Sequence, residues 1–168
     1  MTRASPNPPP RSHQPIPPLP RYLALAYAAL VIYASLHPLA GWRDLGVPAF
    51  AFLDAGWPRY WTAFDLAINV VAYVPLGYLL ALALSRQAGR LLPALLGALI
   101  AAGISFSVEA VQTWLPTRVA SNLDLACNTL GALLGAFAAW RSGTRALVWL
   151  ARTERRLVAP IPHADAGL

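Results

Sequence analysis

Eight polar side chains interrupt apolar stretches of this chain, and their types suit chemistry on a charged or hydroxyl-bearing ligand. They are Asp65, Asn69, Ser105, Glu109, Gln112, Arg118, Asp124 and Asn128. An arginine fork matches a phosphate or a carboxylate, and amides and carboxylates accept hydrogen bonds from sugar hydroxyls. Carboxylates also bind hard cations such as Mg²⁺ or exchange protons with a substrate. We therefore treat these eight residues as candidate binding positions and assign none of them a catalytic role.

The spacing of these residues places them in pairs on helix faces. Glu109 and Gln112 are three positions apart, and Asp124 and Asn128 are four apart, so each pair shares a face. An ionisable group is costly in lipid and usually faces a bundle interior or a polar cavity. Glu109 lies near the C-terminal end of its helix, where the helix dipole disfavours a carboxylate. It needs a partner, of which Arg118 is the nearest in sequence, or it must be held neutral.

The elements that position these residues are predicted to be membrane helices. Of the 168 residues, 57% are apolar and 12% charged, and the mean hydropathy is +0.50, whereas soluble domains carry about 25% charged residues. The net charge of +6 comes from arginines that flank apolar runs, which is typical of membrane topology and not of a nucleic-acid surface. The single cysteine, Cys127, excludes an intramolecular disulfide. We predict an all-α, four-helix transmembrane bundle with no nucleic-acid partner.

Four apolar runs set the predicted helix boundaries. Helices one to four are expected at 22–36, 62–84, 91–115 and 123–140. Helix one is interpreted as a retained anchor, because no small-x-small cleavage site follows it. Residues 37–61 form an aromatic loop at the membrane–water interface, with a lid over a site as the alternative. In helix four, Gly131 and Gly135 form a GxxxG pattern that predicts close approach of a neighbouring helix.

Two tails flank the predicted membrane domain, which spans residues 22–140. Residues 1–21 hold eight of the sixteen prolines and are predicted to be a disordered cytoplasmic tail. Residues 141–168 form an arginine-rich tail, part of which (145–158) is predicted to be an amphipathic helix on the membrane surface.

The arginines also indicate orientation. If the N-terminus is cytoplasmic, the inner segments hold ten arginines and the outer loops three, namely Arg43, Arg59 and Arg118. Cytoplasmic segments of membrane proteins carry an excess of arginine and lysine. The count therefore predicts four spans with both termini in the cytoplasm, and it places the candidate carboxylates and amides in the outer half of the membrane.

The starts of helices two and four share the pattern [ST]-x-x-D-L-A-x-N, at 62–69 and 121–128. The repetition indicates a duplicated helical hairpin whose halves are related by an axis along the membrane normal. A capping box at each helix start is an alternative explanation for Asp65 and Asp124. It does not account for Asn69 and Asn128, which lie one turn deeper and suit hydrogen bonds between helices.

Two segments carry a resemblance to a known family. They are DLAINVVAYVPLG (65–77) and SFSVEAVQTWLPTRVASNLDLACNTLGALLG (105–135). The second fits the family pattern S-x-x-x-E-x-x-Q-x-x-x-P-x-R followed by D-x-x-x-N-x-x-G-x-x-x-G. Over residues 62–140 the chain resembles the VanZ-like family, small integral membrane proteins named for a teicoplanin-resistance accessory protein. The resemblance implies that the eight candidate residues are the family's motif positions, that the chain is multi-pass in a bacterial inner membrane, and that glycopeptide-antibiotic resistance is involved.

Four functions remain open. The first is binding or handling of an amphiphilic envelope molecule, a membrane lipid or a lipid-linked precursor, at the outer leaflet. The second is an enzyme acting on such a lipid, although the sequence has no HExxH, no GxSxG and no paired cysteines. We therefore expect no cofactor and no resident metal. The third is transport with Glu109 as an ion or proton carrier, which needs a homodimer because four spans are few. The fourth is a structural bundle with polar interhelical contacts.

Overall fold

The computed structural model describes residues 19–85 and 89–158, with the backbone alone described for 144 and 154–158. Its elements are α1 (Leu19–Leu36), α2 (Ala51–Asp54), α3 (Ala63–Leu84), α4 (Leu91–Gln112) and α5 (Asn122–Val158). Four helices contain a stretch long and apolar enough to cross a membrane, at 19–36, 63–84, 91–112 and 122–143. The predicted all-α fold with four membrane-spanning helices is confirmed over the described residues.

Two helix boundaries differ from the prediction by three residues. The first helix begins at Leu19, inside the segment predicted to be disordered; the rest of that segment, residues 1–18, lies outside the described residues. The third predicted helix ends at Gln112 and not at Leu115. There the chain enters a tight turn, in which the Leu115 amide donates to the Gln112 carbonyl at 2.9 Å. Pro116 follows and cannot continue a helix.

The predicted end of the last helix at Trp140 is wrong. Instead, α5 runs for 37 residues to Val158, so the segment predicted to be a separate surface helix is its continuation. At the helical rise this length is about 55 Å, nearly twice the thickness of a bilayer core. Leu150, in the extension, is buried in a cluster that includes Ala139 and is packed against Leu19. This packing explains why the helix continues beyond the apolar run.

The most extensive helix contact is between α3 and α5, and it depends on glycines. Gly131 and Gly135 of α5 face the carbonyl oxygens of Val70 and Val74, and Gly77 makes the reciprocal approach from α3. A Cβ atom at any of these glycines would overlap the backbone of the facing helix. The predicted close approach at the GxxxG pattern is therefore confirmed, and it brings the polar first turns of α3 and α5 side by side.

The segment between α1 and α3 folds back onto the bundle. Within it, Phe50 stacks on Phe106 of α4 with ring centroids 5.4 Å apart, and Phe52 lies 5.9 Å from the same ring. The Ala55 carbonyl accepts from the side-chain amide of Asn122 at 2.6 Å. The short helix α2 is thereby held against the ends of α4 and α5.

We predict opposite effects of one added methyl group at two glycines. Gly135→Ala places a Cβ against the backbone of α3 and should lower the free energy of unfolding by about 1–3 kcal/mol, as overpacking does. Gly103→Ala is the matched control, because a Cβ there meets nothing within 4 Å. It should raise that free energy by about 0.5–1 kcal/mol through its helix propensity. Reversible unfolding in mixed detergent micelles measures both, and equal effects would contradict the packing described here.

Candidate functional site

The eight predicted residues lie at one end of the bundle, where α1 and α4 end and α3 and α5 begin. The deepest of them lie about two helical turns below that end. Ser105, for example, precedes the last residue of α4 by seven positions, or about 10 Å at the helical rise. The structure distributes the eight among three bonding arrangements, which are a capping box, a network among three helices, and a contact with the end of α1.

Asp65 belongs to a capping box at the start of α3. Its carboxylate accepts from the Thr62 amide at 2.9 Å and from the Thr62 hydroxyl at 2.7 Å, while the Asp65 amide donates to that hydroxyl at 3.1 Å. The capping explanation offered by the sequence is therefore confirmed for Asp65. The side chain is exposed, so the carboxylate also faces the surroundings at this end of the bundle.

Glu109 takes a partner that the sequence did not indicate. The side chain is only 3% exposed, and its Oε2 atom accepts a hydrogen bond from the Ser121 amide at 2.8 Å. Ser121 precedes the first turn of α5, and its hydroxyl accepts from the amides of Leu123 (3.2 Å) and Asp124 (3.3 Å). Glu109 therefore binds the N-terminal end of α5, where unpaired amides and the helix dipole favour a carboxylate.

Asp124 connects α5 to α3 instead of closing a capping box. Its Oδ1 atom accepts from the side-chain amide of Asn69 at 2.8 Å. The carboxylate also lies within electrostatic reach of Asp65 and of Glu109. The three carboxylates thus form a series from the exposed edge of the site toward its buried centre.

A second interhelical bond lies deeper. The Asn128 side-chain amide donates to the Ser105 hydroxyl at 2.9 Å, and both residues are buried. Tyr73 of α3 lies beside Ser105 and within electrostatic reach of Glu109. The hydroxyl of Tyr73 and the Oδ1 atom of Asn128 have no hydrogen-bond partner among the described residues. Buried polar atoms of this kind are where ordered water binds in protein interiors. We name the interhelical network after its members, Asn69, Tyr73, Ser105, Glu109, Ser121, Asp124 and Asn128.

Gln112 and Arg118 bind the end of α1 and not the interhelical network. The Gln112 side-chain amide donates to the Ser35 carbonyl at 3.0 Å. The Arg118 guanidinium donates to the Ala34 carbonyl at 3.1 Å and to the His37 carbonyl at 2.9 and 3.2 Å. Of the alternatives that the sequence left open for Glu109, pairing with Arg118 is therefore not the one that the structure shows. The final carbonyls of a helix lack intrahelical donors, and a cation satisfies them while complementing the dipole.

A metal site does not arise from this arrangement. Among the described residues, no three His, Cys, Asp or Glu side chains lie together in a way that could hold a metal ion. The carboxylates of Asp65, Glu109 and Asp124 are instead turned to separate hydrogen-bond donors.

Sequence reasoning missed two members of the interhelical network. Ser121 had a detectable signal, because it opens the second copy of the [ST]-x-x-D pattern and such a residue caps a helix. Tyr73 follows Asn69 by four positions, which places both on one helix face. No sequence signal pointed to the carbonyls that receive Arg118, because main-chain acceptors carry no residue identity.

Comparison with known proteins gives a family and no individual relative. The VanZ/LLP1 family model matches residues 18–147, most of the chain. That span is longer than the stretch 62–140 over which the motifs carried the resemblance, and it includes α1. No curated protein and no solved structure matches the chain. Together with the four candidate spans, the family match identifies a multi-pass membrane protein.

We predict that Glu109 acts in folding as a hydrogen-bond acceptor. Glu109→Ala leaves the buried Ser121 amide without a partner and should lower the free energy of unfolding by about 1–3 kcal/mol. Glu109→Gln is the matched control, because its carbonyl oxygen can accept the same bond, and it should stay within about 1 kcal/mol of the wild type. Detergent unfolding followed by circular dichroism measures both. An equal loss in the two variants would show that the charge, and not the acceptor, matters.

Proposed function

The chain belongs to the VanZ/LLP1 family, and on that premise we propose that it binds an anionic amphiphile at the outer leaflet of a bacterial inner membrane. The ligand is a membrane lipid or a lipid-linked envelope precursor, with its headgroup at the end of the bundle that holds the interhelical network and Arg118. The association with glycopeptide-antibiotic resistance belongs to the same proposal, since such antibiotics act on the envelope that these molecules build.

The proposal depends on one observation, the bonding of Arg118. Among the described residues, every hydrogen bond that the Arg118 guanidinium donates ends on a main-chain carbonyl, that of Ala34 or His37. Carbonyl oxygens orient the fork but do not neutralise its charge. The side chain is also exposed, so a phosphate or carboxylate can approach it without first displacing an acidic side chain. Charge-assisted bonds from arginine to such groups are among the strongest in proteins.

The position of Arg118 supports an amphiphile over a soluble anion. The arginine sits in the turn between α4 and α5, directly above apolar spans. Trp42 and Trp114, both more than a third exposed, lie at the same end of the bundle, as is common at headgroup level. A molecule with an anionic head and an apolar body meets both environments at once.

A structural role for the interhelical network is the second candidate function. Glu109, Asp124 and Asn128 each bond to a neighbouring helix or helix start. These bonds hold α3, α4 and α5 in register, which explains the residues without any ligand. The two functions are compatible, since a rigid network fixes the turn that carries Arg118.

We expect Arg118→Gln to weaken binding of an anionic headgroup about tenfold or more, the loss that follows removal of one charge-assisted contact. The assay is titration of the purified full chain in detergent with short-chain phosphatidylglycerol, followed by microscale thermophoresis. Short-chain phosphatidylcholine is the control ligand and Arg59→Gln, an exposed arginine of the α1–α3 segment, the control variant.

Arg118→Lys should recover part of the affinity, because it keeps the charge and loses only the fork. Wild-type affinity of the Arg118→Gln variant for phosphatidylglycerol would overturn the proposal. Melting temperatures of all variants separate a binding loss from loosening of the α1 end.

The proposed orientation is tested with fusion reporters. We expect green fluorescent protein fused after Leu168 to fluoresce and alkaline phosphatase fused there to be inactive, because the arginine distribution places that end in the cytoplasm. Alkaline phosphatase fused after Arg118 should be active. The reverse pattern would place the candidate site on the cytoplasmic side and contradict the outer-leaflet assignment.

A further inference from the structure

A groove runs between α1 and α4 on the lipid-facing side of the bundle. Its volume is about 440 Å³, within the range of small-molecule sites. It is lined by Ile32 and Leu36 of α1 and, on α4, by Ile100, Gly103, Ser107 and Val111 among others. None of the eight residues singled out from the sequence lines it. It is therefore distinct from the polar site, although the two meet at one end.

We propose that this groove holds one acyl chain of an anionic glycerophospholipid whose headgroup lies at Arg118. The inference rests on the proposed function and deepens it, because it names the ligand class and the place of its apolar part.

The chemistry of the lining fits a hydrocarbon chain. Among the residues that line the groove, only Ser107 has a polar side chain. Its hydroxyl donates to the Gly103 carbonyl at 2.8 Å within the same helix. That bond satisfies the hydroxyl, so the wall offers apolar surface. Gly103 adds room, since a Cβ built there meets nothing within 4 Å. In the hydrocarbon layer such a concave surface is surrounded by lipid acyl chains, which can fill it.

The dimensions fit one leaflet. On α4 the groove extends from Ile100 to Val111, about 16 Å at the helical rise, which is close to half of a bilayer core of about 30 Å. An acyl chain of a glycerophospholipid reaches that far, whereas a longer polyprenyl chain overruns the groove.

The charge at the mouth selects the headgroup. Leu36, which lines the groove, lies between Ala34 and His37, whose carbonyls hold the Arg118 guanidinium. A lipid with its chain along α4 therefore has its phosphate next to an arginine that is not neutralised by these contacts. This complementarity favours an anionic lipid over a zwitterionic one.

The test uses the full chain in phosphatidylcholine nanodiscs that contain phosphatidylglycerol with a photoactivatable acyl chain. After irradiation, mass spectrometry should locate most cross-links between Ile100 and Val111 and near Ile32. Gly103→Leu fills the groove and should reduce labelling there about tenfold, as expected when burial of about two methylene groups is lost. Ala126→Leu, at an exposed position of the last span, is the matched control and should label like the wild type.

The outcomes separate this inference from the proposed function. Wild-type labelling of Gly103→Leu, or labelling spread evenly over all lipid-facing helices, overturns the acyl groove. If Arg118→Gln still loses headgroup affinity in that case, the proposed function survives alone. If Gly103→Leu loses labelling while Arg118→Gln binds normally, the groove stands and the headgroup assignment fails. Displacement of the probe by polyprenyl phosphate more readily than by phosphatidylglycerol overturns the ligand class.

Discussion

The arrangement of the bundle end that holds the interhelical network depends on how a buried carboxylate within a membrane span obtains a hydrogen-bond donor. Glu109 has almost no contact with the surroundings, and lipid offers no donor in place of water. A helix start supplies what it needs, since its first amides lack intrahelical acceptors and carry a partial positive charge. The bond from the Ser121 amide to Glu109 therefore holds the start of α5 against α4 and determines where the intervening turn, with Arg118, must lie.

That bond also explains why the two copies of the repeated pattern behave differently. In the first copy, Asp65 accepts from the amide of the capping residue Thr62. In the second copy, Glu109 accepts from the equivalent amide, that of Ser121, so Asp124 is released to receive Asn69 from α3. The repeated pattern thus gives one ordinary capping box and one cap shared among three helices. The bond between Asp124 and Asn69 can form because glycines at the α3–α5 contact bring the starts of the two helices together.

The sequence predicted what depends on apolar length and local pattern. Residues near one another in the sequence were enough to predict the four spans, the close approach at Gly135 and the capping role of Asp65. The partner of Glu109 and the partners of Arg118 could not be predicted, because they depend on how helices are rotated against each other. The continuation of α5 past Trp140 was missed for a related reason. Its stabilising packing, in which Leu150 joins a buried cluster with Leu82 of α3 and Ala94 of α4, brings together positions far apart in the chain.

The carboxylates of the interhelical network and the Arg118 guanidinium differ in what their hydrogen bonds do, and this difference bears on function. Within the interhelical network, one oxygen of Glu109 and one of Asp124 each accept from an amide, so both carboxylates take part in holding three helices together. At the end of α1 the opposite holds, since Arg118 is oriented by carbonyls that leave its charge in place. A site that binds anions needs such a group to be fixed before the ligand arrives, because ordering a free arginine side chain on binding costs entropy. The α1 carbonyls supply that order, and the network behind them keeps the turn from moving. The carboxylates singled out from the sequence thus hold the scaffold together, and the arginine at its edge is the group to which we assign the proposed ligand.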